Sequence, residues 1–380
     1  MTTPTNSGRR GLLLLELDAA GSHPAARSES PTATLSADHL RGAVLLAESA
    51  GFHAATFADP GLPDHHDADP GGPGDAARLN ALQRAAFAGP LTRSLALIPE
   101  VDTVYTEPFH VATQLASLDY VSEGRAGWLV AASESTADAA AVGREPVRGV
   151  ALAGEVADSI EVGRRLWDTW EDDAVIRDVA TGRYLDVDKL HYADFEGSTY
   201  SVKGPSIIPR PLQGQLPVLV PAGLLDGEAL GAADALLVSA PAAELLAGEI
   251  AETRAALAGA GNHPALIAEL DVVLDSRGQT AAERLATLDN HAVWQSPRAR
   301  FVGTAAQLAE VLADVLALAD GVRLHPAVLA TDLEELSRLV LPDLRRRGLL
   351  APTGQGATFR EQLGLSRPAS RYAAATAVEK

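Results

Sequence analysis

Among residues that could do chemistry, Pro63-Asp64-His65-His66-Asp67-Ala68-Asp69 places five oxygen and nitrogen ligands within seven positions. Such a set could chelate a divalent cation. Adjacent histidines in a loop rarely converge on one ion, so the segment reads as a solvated loop at a rim, and no metal site is expected. Gly72-Pro73-Gly74-Asp75-Ala76-Ala77 has the glycine content of a phosphate-cradling turn. It lies far from the preceding strand and lacks the strand-turn-helix context that mechanism needs. Leu166, Trp167 and Trp170 sit at helical spacing and read as a helix end packing two indoles. Ser122-Glu123-Gly124-Arg125 reads as a helix C-terminus entering a glycine turn. No phosphate-loop, nucleophile-elbow or zinc-helix motif occurs, and the absence of cysteine excludes disulfides, thiolate metal sites and cysteine nucleophiles.

Charge and composition narrow the partners. With 31 Lys+Arg against 50 Asp+Glu the formal net charge is −19, which excludes a phosphate-backbone binder as the leading reading. Hydrophobic residues make up 47% and charged residues 21%, the balance of a globular protein, and 380 residues suit two medium domains or one large α/β barrel. The early apolar run Gly11–Leu15 is interrupted by Glu16 and Asp18, too short for a signal core or a membrane span. A cytoplasmic protein with no membrane contact is the expectation.

The elements that must position any site alternate between short apolar runs and helical periodicity, the pattern of repeated βα units. Strands are expected at Leu12–Leu15, Ala54–Phe57, Leu95–Ile98, Gly127–Ala131, Val218–Val220, Ala235–Ser239, Ile267–Leu274 and Val322–Leu324. Helices are expected from Ser36 to about Gly51, from Asp75 with Leu79, Leu82 and Phe87 inward, from Pro108, and from Leu152 to Trp170. Eight strands with helices between them make a closed (β/α)8 TIM barrel the economical α/β architecture, with an open doubly wound sheet as the alternative. The barrel is expected over residues 11–350, with tails at 1–10 and 351–380 that are loosely held or docked late. The polar, turn-rich stretch 171–211 reads as an insertion over the barrel mouth.

Several segments together resemble the bacterial luciferase-like flavin-dependent monooxygenases, in the branch of the nitrilotriacetate, EDTA and dibenzothiophene-sulfone enzymes. The residues are Tyr105–Ala112, Leu118–Trp128, the Trp167-Asp168-Thr169-Trp170-Glu171-Asp172-Asp173 run, Gly204–Gly214 with its Pro209-Arg210-Pro211, and Phe301-Val302-Gly303-Thr304. The resemblance implies a barrel that holds reduced FMN at the C-terminal ends of its strands. It further implies that a separate reductase supplies the flavin and that O2 oxygenates a small organic substrate. A deazaflavin fits less well. Lookalikes are usually homo-oligomers.

By the same resemblance the cofactor contacts fall at Asp59, Glu100, Thr103, Ser133, Gly223 and Leu225, and no catalytic residue is indicated. Asp59 keeps the family's acid after the second strand, with a turn cap before Pro60 as its alternative role. Glu100 stands where the family usually has threonine, and a carboxylate beside a flavin ring is costly unless paired. The family's Asn and Thr after the Gly124–Trp128 segment fall at Leu129 and Ala132, and a His and Tyr pair over the flavin aligns with Gly149 and Ala153. The phosphate-binding serine aligns with Leu225, next to Asp226, whose charge would repel a phosphate. Each lost contact removes about 1–3 kcal/mol of hydrogen bonding. Two readings follow: a flavin-dependent monooxygenase with displaced contacts, or a non-catalytic or altered-ligand paralogue with an eroded flavin site.

Overall fold

A run such as Leu12-Leu13-Leu14-Leu15 is buried completely only where both faces of a strand are covered, as in a parallel sheet wrapped by helices. In the computed structural model, which describes residues 10–18, 20–28, 35–59, 79–257 and 262–373, that run is the first stave of a closed barrel. The staves are β1 Leu12–Glu16, β2 Ala54–Phe57, β3 Ala96–Asp102, β4 Trp128–Ala131, β5 Val218–Pro221, β6 Ala235–Val238, β7 Ala265–Leu274 and β8 Gly321–Pro326. Each pairs in parallel with its sequence neighbour, and β8 closes against β1. The expected eight-stranded barrel is therefore present. The Asp-His-His loop, the Gly72–Ala77 turn, Asp75 and the tail Met1–Arg9 lie outside the described residues.

Side chains alternate in and out along each strand. Leu12, Leu14, Ala54, Ala96, Ile98, Leu129, Leu219, Leu237 and Ile267 fill the interior, while Leu13, Leu15, Ala55, Leu97, Val130, Val220 and Leu236 face the helices. Those helices include α1 Ala37–Ala50, α2 Ala81–Ala88, α3 Pro108–Val121, α4 Val150–Asp168, α5 Ala243–Ala256, α6 Ala281–Asp289 and α7 Ala305–Leu316. α1 starts after Ser36 and stops at Gly51, whose φ of 84° suits glycine, although the Ser36 side chain makes no cap bond.

The structure departs from the sequence reading at three places. α2 begins at Ala81, where the Asn80 side chain accepts from Leu82 N and Gln83 N, so Leu79 lies outside the helix and is exposed and Phe87 is only half-buried. A further strand, Ala299–Gly303, adds to the outer half of β7. The insertion leaves from the end of α4, which runs antiparallel to the strands, so it starts at their N-terminal end and not over the mouth. Arg210 there bonds Asp168 and the Pro368 carbonyl, and only the second hairpin, Phe195–Glu196 with Ser201–Val202, climbs beside α4. Residues 351–373 are docked, one of the two arrangements expected for that tail. Their short helix Phe359–Gln362 and Leu363 close the barrel floor, with Phe359 fully buried among Leu12, Ala96, Ile98 and Leu129. Gln213 Oε1 accepts from Arg360 N at 2.8 Å and locks that floor to the insertion's last loop.

Candidate active site

Two residues beyond the interior leucines and alanines, the inward positions turn polar. Glu16 on β1, Thr56 on β2, Glu100 on β3, Ser239 just past β6, Glu269 on β7 and Arg323 on β8 form a ring at the C-terminal end of the barrel. Arg323 is its centre and is buried. Its guanidinium bonds Glu16, donates to Glu269 Oε1 at 2.8 Å, and donates to Thr56 Oγ1 at 2.9 Å. Thr56 in turn donates to Glu16 Oε2 at 2.6 Å, Ser239 donates to Glu269 Oε2 at 2.5 Å, and the imidazole of His325 donates through Nε2 to Glu269 Oε1 at 3.1 Å.

These contacts set the charges. Burial would raise Glu269, but the hydrogen bond from His325 and the charge of Arg323 outweigh it and hold the carboxyl well below its usual range. Burial, with the nearby charges of Arg323 and Arg298, pushes His325 down to about 3, so this imidazole is neutral at physiological pH. Glu100 differs from its neighbours. It is half-buried and has no hydrogen-bond partner among the described residues. Burial pushes it up to about 7, reinforced by Glu16, Asp18 and Glu269 and opposed by Arg323. It is therefore a carboxyl at the mouth that exchanges a proton near neutrality.

One level further out, Asp102 Oδ2 accepts from Tyr105 N at 2.6 Å while its Oδ1 accepts from Ser133 N at 2.7 Å, tying the loop after β3 to the loop after β4. Asp271 is fully buried, is held by Arg298 Nε at 2.7 Å, and keeps Oδ2 without a partner among the described residues.

The positions drawn from the resemblance are not all gathered at this ring. Asp59 is half-buried, and its Oδ2 accepts from Asn80 Nδ2 at 2.7 Å and Ala81 N at 3.3 Å, so its carboxylate secures the start of α2. Thr103 donates to the Ala131 carbonyl at 2.9 Å, which occupies its hydroxyl in the seam between β3 and β4. Ser133 donates to Asp138 at 2.5 Å. Gly223 is exposed. Leu225 is 4% exposed and its side chain packs in the core between sheet and helices. Gly149 precedes α4 with φ 58° and ψ −132°, a conformation that strains any side chain, and a Cβ there meets open space. Leu129 belongs to the barrel interior, and Ala153 is half-buried on α4.

Among the described residues no cluster suits a metal ion. The residues that sequence reasoning missed are Glu16, Thr56, Asp102, Ser239, Glu269, Asp271, Arg323 and His325. A signal was available: Arg323 and His325 interrupt β8, and Glu269 and Asp271 interrupt β7, each pair two residues apart, the spacing of one strand face.

A polar ring at the C-terminal end of a barrel is where such folds place their chemistry. A family model described as luciferase-like monooxygenase matches residues 18–342. The chain belongs to the luciferase-like monooxygenase family. Its relatives include the N-acetyl-S-(2-succino)cysteine monooxygenase of Bacillus subtilis, 30% identical over 74% of this chain and 80% of that protein. Component A of the nitrilotriacetate monooxygenase of Aminobacter aminovorans is 27% identical, over 74% of this chain and 78% of that one. The solved EDTA monooxygenase from Chelativorans sp. BNC1 superposes with a TM-score of 0.74 at 19% identity, covering 94% of this chain and 99% of that one. A riboflavin lyase solved with modified FMN and riboflavin gives a TM-score of 0.79 at 23% identity, over 96% and 98% of the two chains, and shows the shared fold.

In this luciferase-like chain several of the branch-typical residues make structural contacts. Trp167 and Trp170 donate to the carbonyls of Ala112 and Ser206, and Arg210 joins Asp168 to Asp172. Asp119 receives Gln213 Nε2 at 2.6 Å, and Arg125 donates to the carbonyls of Gly89, Thr92 and Leu95. They lock the insertion and the floor to the barrel.

Proposed function

We propose that this family member is a two-component, flavin-dependent monooxygenase. In this reading it takes reduced FMN from a separate reductase and oxygenates a small organic substrate with O2 at the Glu16–Glu100–Glu269–Arg323 ring. The observation that carries the reading is Glu100, a carboxyl facing the barrel mouth, without a hydrogen-bond partner among the described residues and pushed by burial up to about 7. When bound, the flavin would supply the electrons that activate oxygen.

The ring end of such a ligand fits. A polar rim stands above an apolar well of Leu14, Ile98, Leu237 and Ile267, and Glu100 in its protonated form can donate a hydrogen bond to a ring acceptor. The phosphate end fits less well, since Leu225 is in the core, Gly149 carries no side chain and Asp226 is exposed. Backbone amides at the start of α4 are what remains to meet a phosphate. The reading therefore carries weak, exchangeable flavin binding, as suits a flavin that arrives by diffusion from a partner.

In this scheme Arg323 and Glu269 stay paired through the cycle and fix the field at the mouth, and Glu100 gives and regains the proton. Asp102 holds the two loops that exclude water from the bound ring.

Anaerobic titration with FMN and with reduced FMN tests the reading directly. Saturable binding of reduced FMN, with an FMN Kd of about 10 μM or weaker, and reductase-dependent oxygen uptake are the expected results. No binding of either form and no oxygen uptake would refute it in favour of the non-catalytic paralogue.

A further inference from the structure

A cavity of about 260 Å³ lies outside the barrel, between the loop after β3, the start of α4 and the tip of the hairpin that climbs beside it. Its lining is mixed: Val104, Pro108, Val142 and Val202 supply an apolar side, and the rest is polar, with Glu107 and Arg144 among the charged groups. Two buried polar groups in that lining lack a full set of partners. Glu155 on α4 is 2% exposed; its Oε1 receives Arg144 Nη2 at 2.7 Å, but its Oε2 has no partner among the described residues. The Tyr200 hydroxyl, also buried, is likewise without a partner there.

Buried polar atoms without partners are uncommon, and two in one cavity define a place for a ligand that supplies donors. Arg144 does not fill the need. Its Nη1 donates to the Val104 carbonyl at 2.7 Å, and its guanidinium lies 5.8 Å from the centre of the Tyr105 ring. The field favours a cation: burial, followed by the charges of Asp158, Glu155 and Glu107, holds the Tyr200 hydroxyl above its usual pKa, with Arg144 alone opposing. The ligand therefore needs a compact head with several N–H donors and a short apolar tail.

We propose that this cavity is a second binding site, separate from the barrel mouth, that takes a small primary alkylammonium through Glu155 Oε2 and the Tyr200 hydroxyl. The ammonium donates to both oxygens while the alkyl chain lies against the valines and Pro108. Occupancy would join the hairpin tip to the loop after β3.

Isothermal titration of the full chain with n-butylammonium chloride in sodium chloride buffer tests this. One saturable site is expected, weakened by about tenfold or more in Glu155→Gln and by about fivefold in Tyr200→Phe, consistent with the loss of a charged and a neutral hydrogen-bond partner. Tyr200→Phe retains the packed ring, so it remains informative if loss of the Arg144 pair unfolds Glu155→Gln. Tetramethylammonium, which has no N–H, is expected to bind at least about tenfold more weakly. Any of three results would overturn the proposal. These are no saturable binding, which would leave the cavity to water; equal binding in Tyr200→Phe and the parent; and equal binding of tetramethylammonium, which would mark general attraction to a chain of net charge −19.

Discussion

Replacing Arg323 by Met keeps an unbranched stem of similar reach in the barrel but removes the cation from between two buried carboxylates. In the parent, Glu16 is 2% exposed, Glu269 8% and Arg323 4%, so none has water to fall back on. Removing one member of a buried ion pair leaves its partner uncompensated and costs about 3–5 kcal/mol, and here two partners lose their cation. The pair Glu16→Gln and Glu269→Gln, combined with Arg323→Met, removes the charges together and should restore most of that loss. For a chain this long the single change should lower the melting temperature by roughly 5–10 °C.

The loss should also depend on pH in a definite sense. Removing the guanidinium takes away a charge that holds the Glu269 carboxyl low, so the deficit should grow as pH rises and shrink as the carboxyl is protonated in folded and unfolded states alike. Melting curves of parent, single and triple variants from about pH 4 to 8 make the measurement. A single variant within about 1 kcal/mol of the parent, or a triple variant less stable than the single, would refute the view that the arginine neutralises this ring.

Glu100→Gln should flatten one slope of stability against pH. The parent carboxyl, raised from 4.5 to about 7, binds more protons folded than unfolded, so its contribution falls as pH rises between those values, and melting by circular dichroism reads the difference. His325→Gln should remove the opposite slope, because an imidazole lowered from 6.5 to about 3 costs stability as pH falls through that window, and parent-minus-variant melting temperatures isolate it. Phe359→Ala should cost about 3–5 kcal/mol by opening a cavity in the barrel floor, measured by urea unfolding. Leu225→Ser should lose about 2–4 kcal/mol with no gain in FMN affinity, since its side chain is in the core; tighter FMN binding in the variant would return this residue to a phosphate pocket.

The eight staves were legible because strands buried on both faces are written as short unbroken apolar runs, and Leu12–Leu15 or Ala235–Val238 have no other good use. Ala299–Gly303 escaped because its inner partner is the outer half of β7 and its own sequence, Ala-Arg-Phe-Val-Gly, carries a charge. The floor helix escaped because four residues show no helical period. The polar ring is assembled from single residues on six separate segments, so its members share no local motif, and only the period-two placement of Arg323 with His325 and of Glu269 with Asp271 hinted at it. Family likeness located the loop that contains Leu225 but could not say which way the leucine points, because side-chain direction in a loop depends on backbone angles that neighbouring sequence does not dictate.

The plug made by Phe359 and Leu363 closes a barrel whose interior Leu12, Leu14, Ala96, Ile98 and Ile267 already fill. A ligand has no route through that packed core from the strands' N-terminal ends. Any molecule that reaches the polar ring must therefore arrive and depart on the same side, through the loops at the strands' C-terminal ends, so substitutions in those loops should alter arrival and departure together.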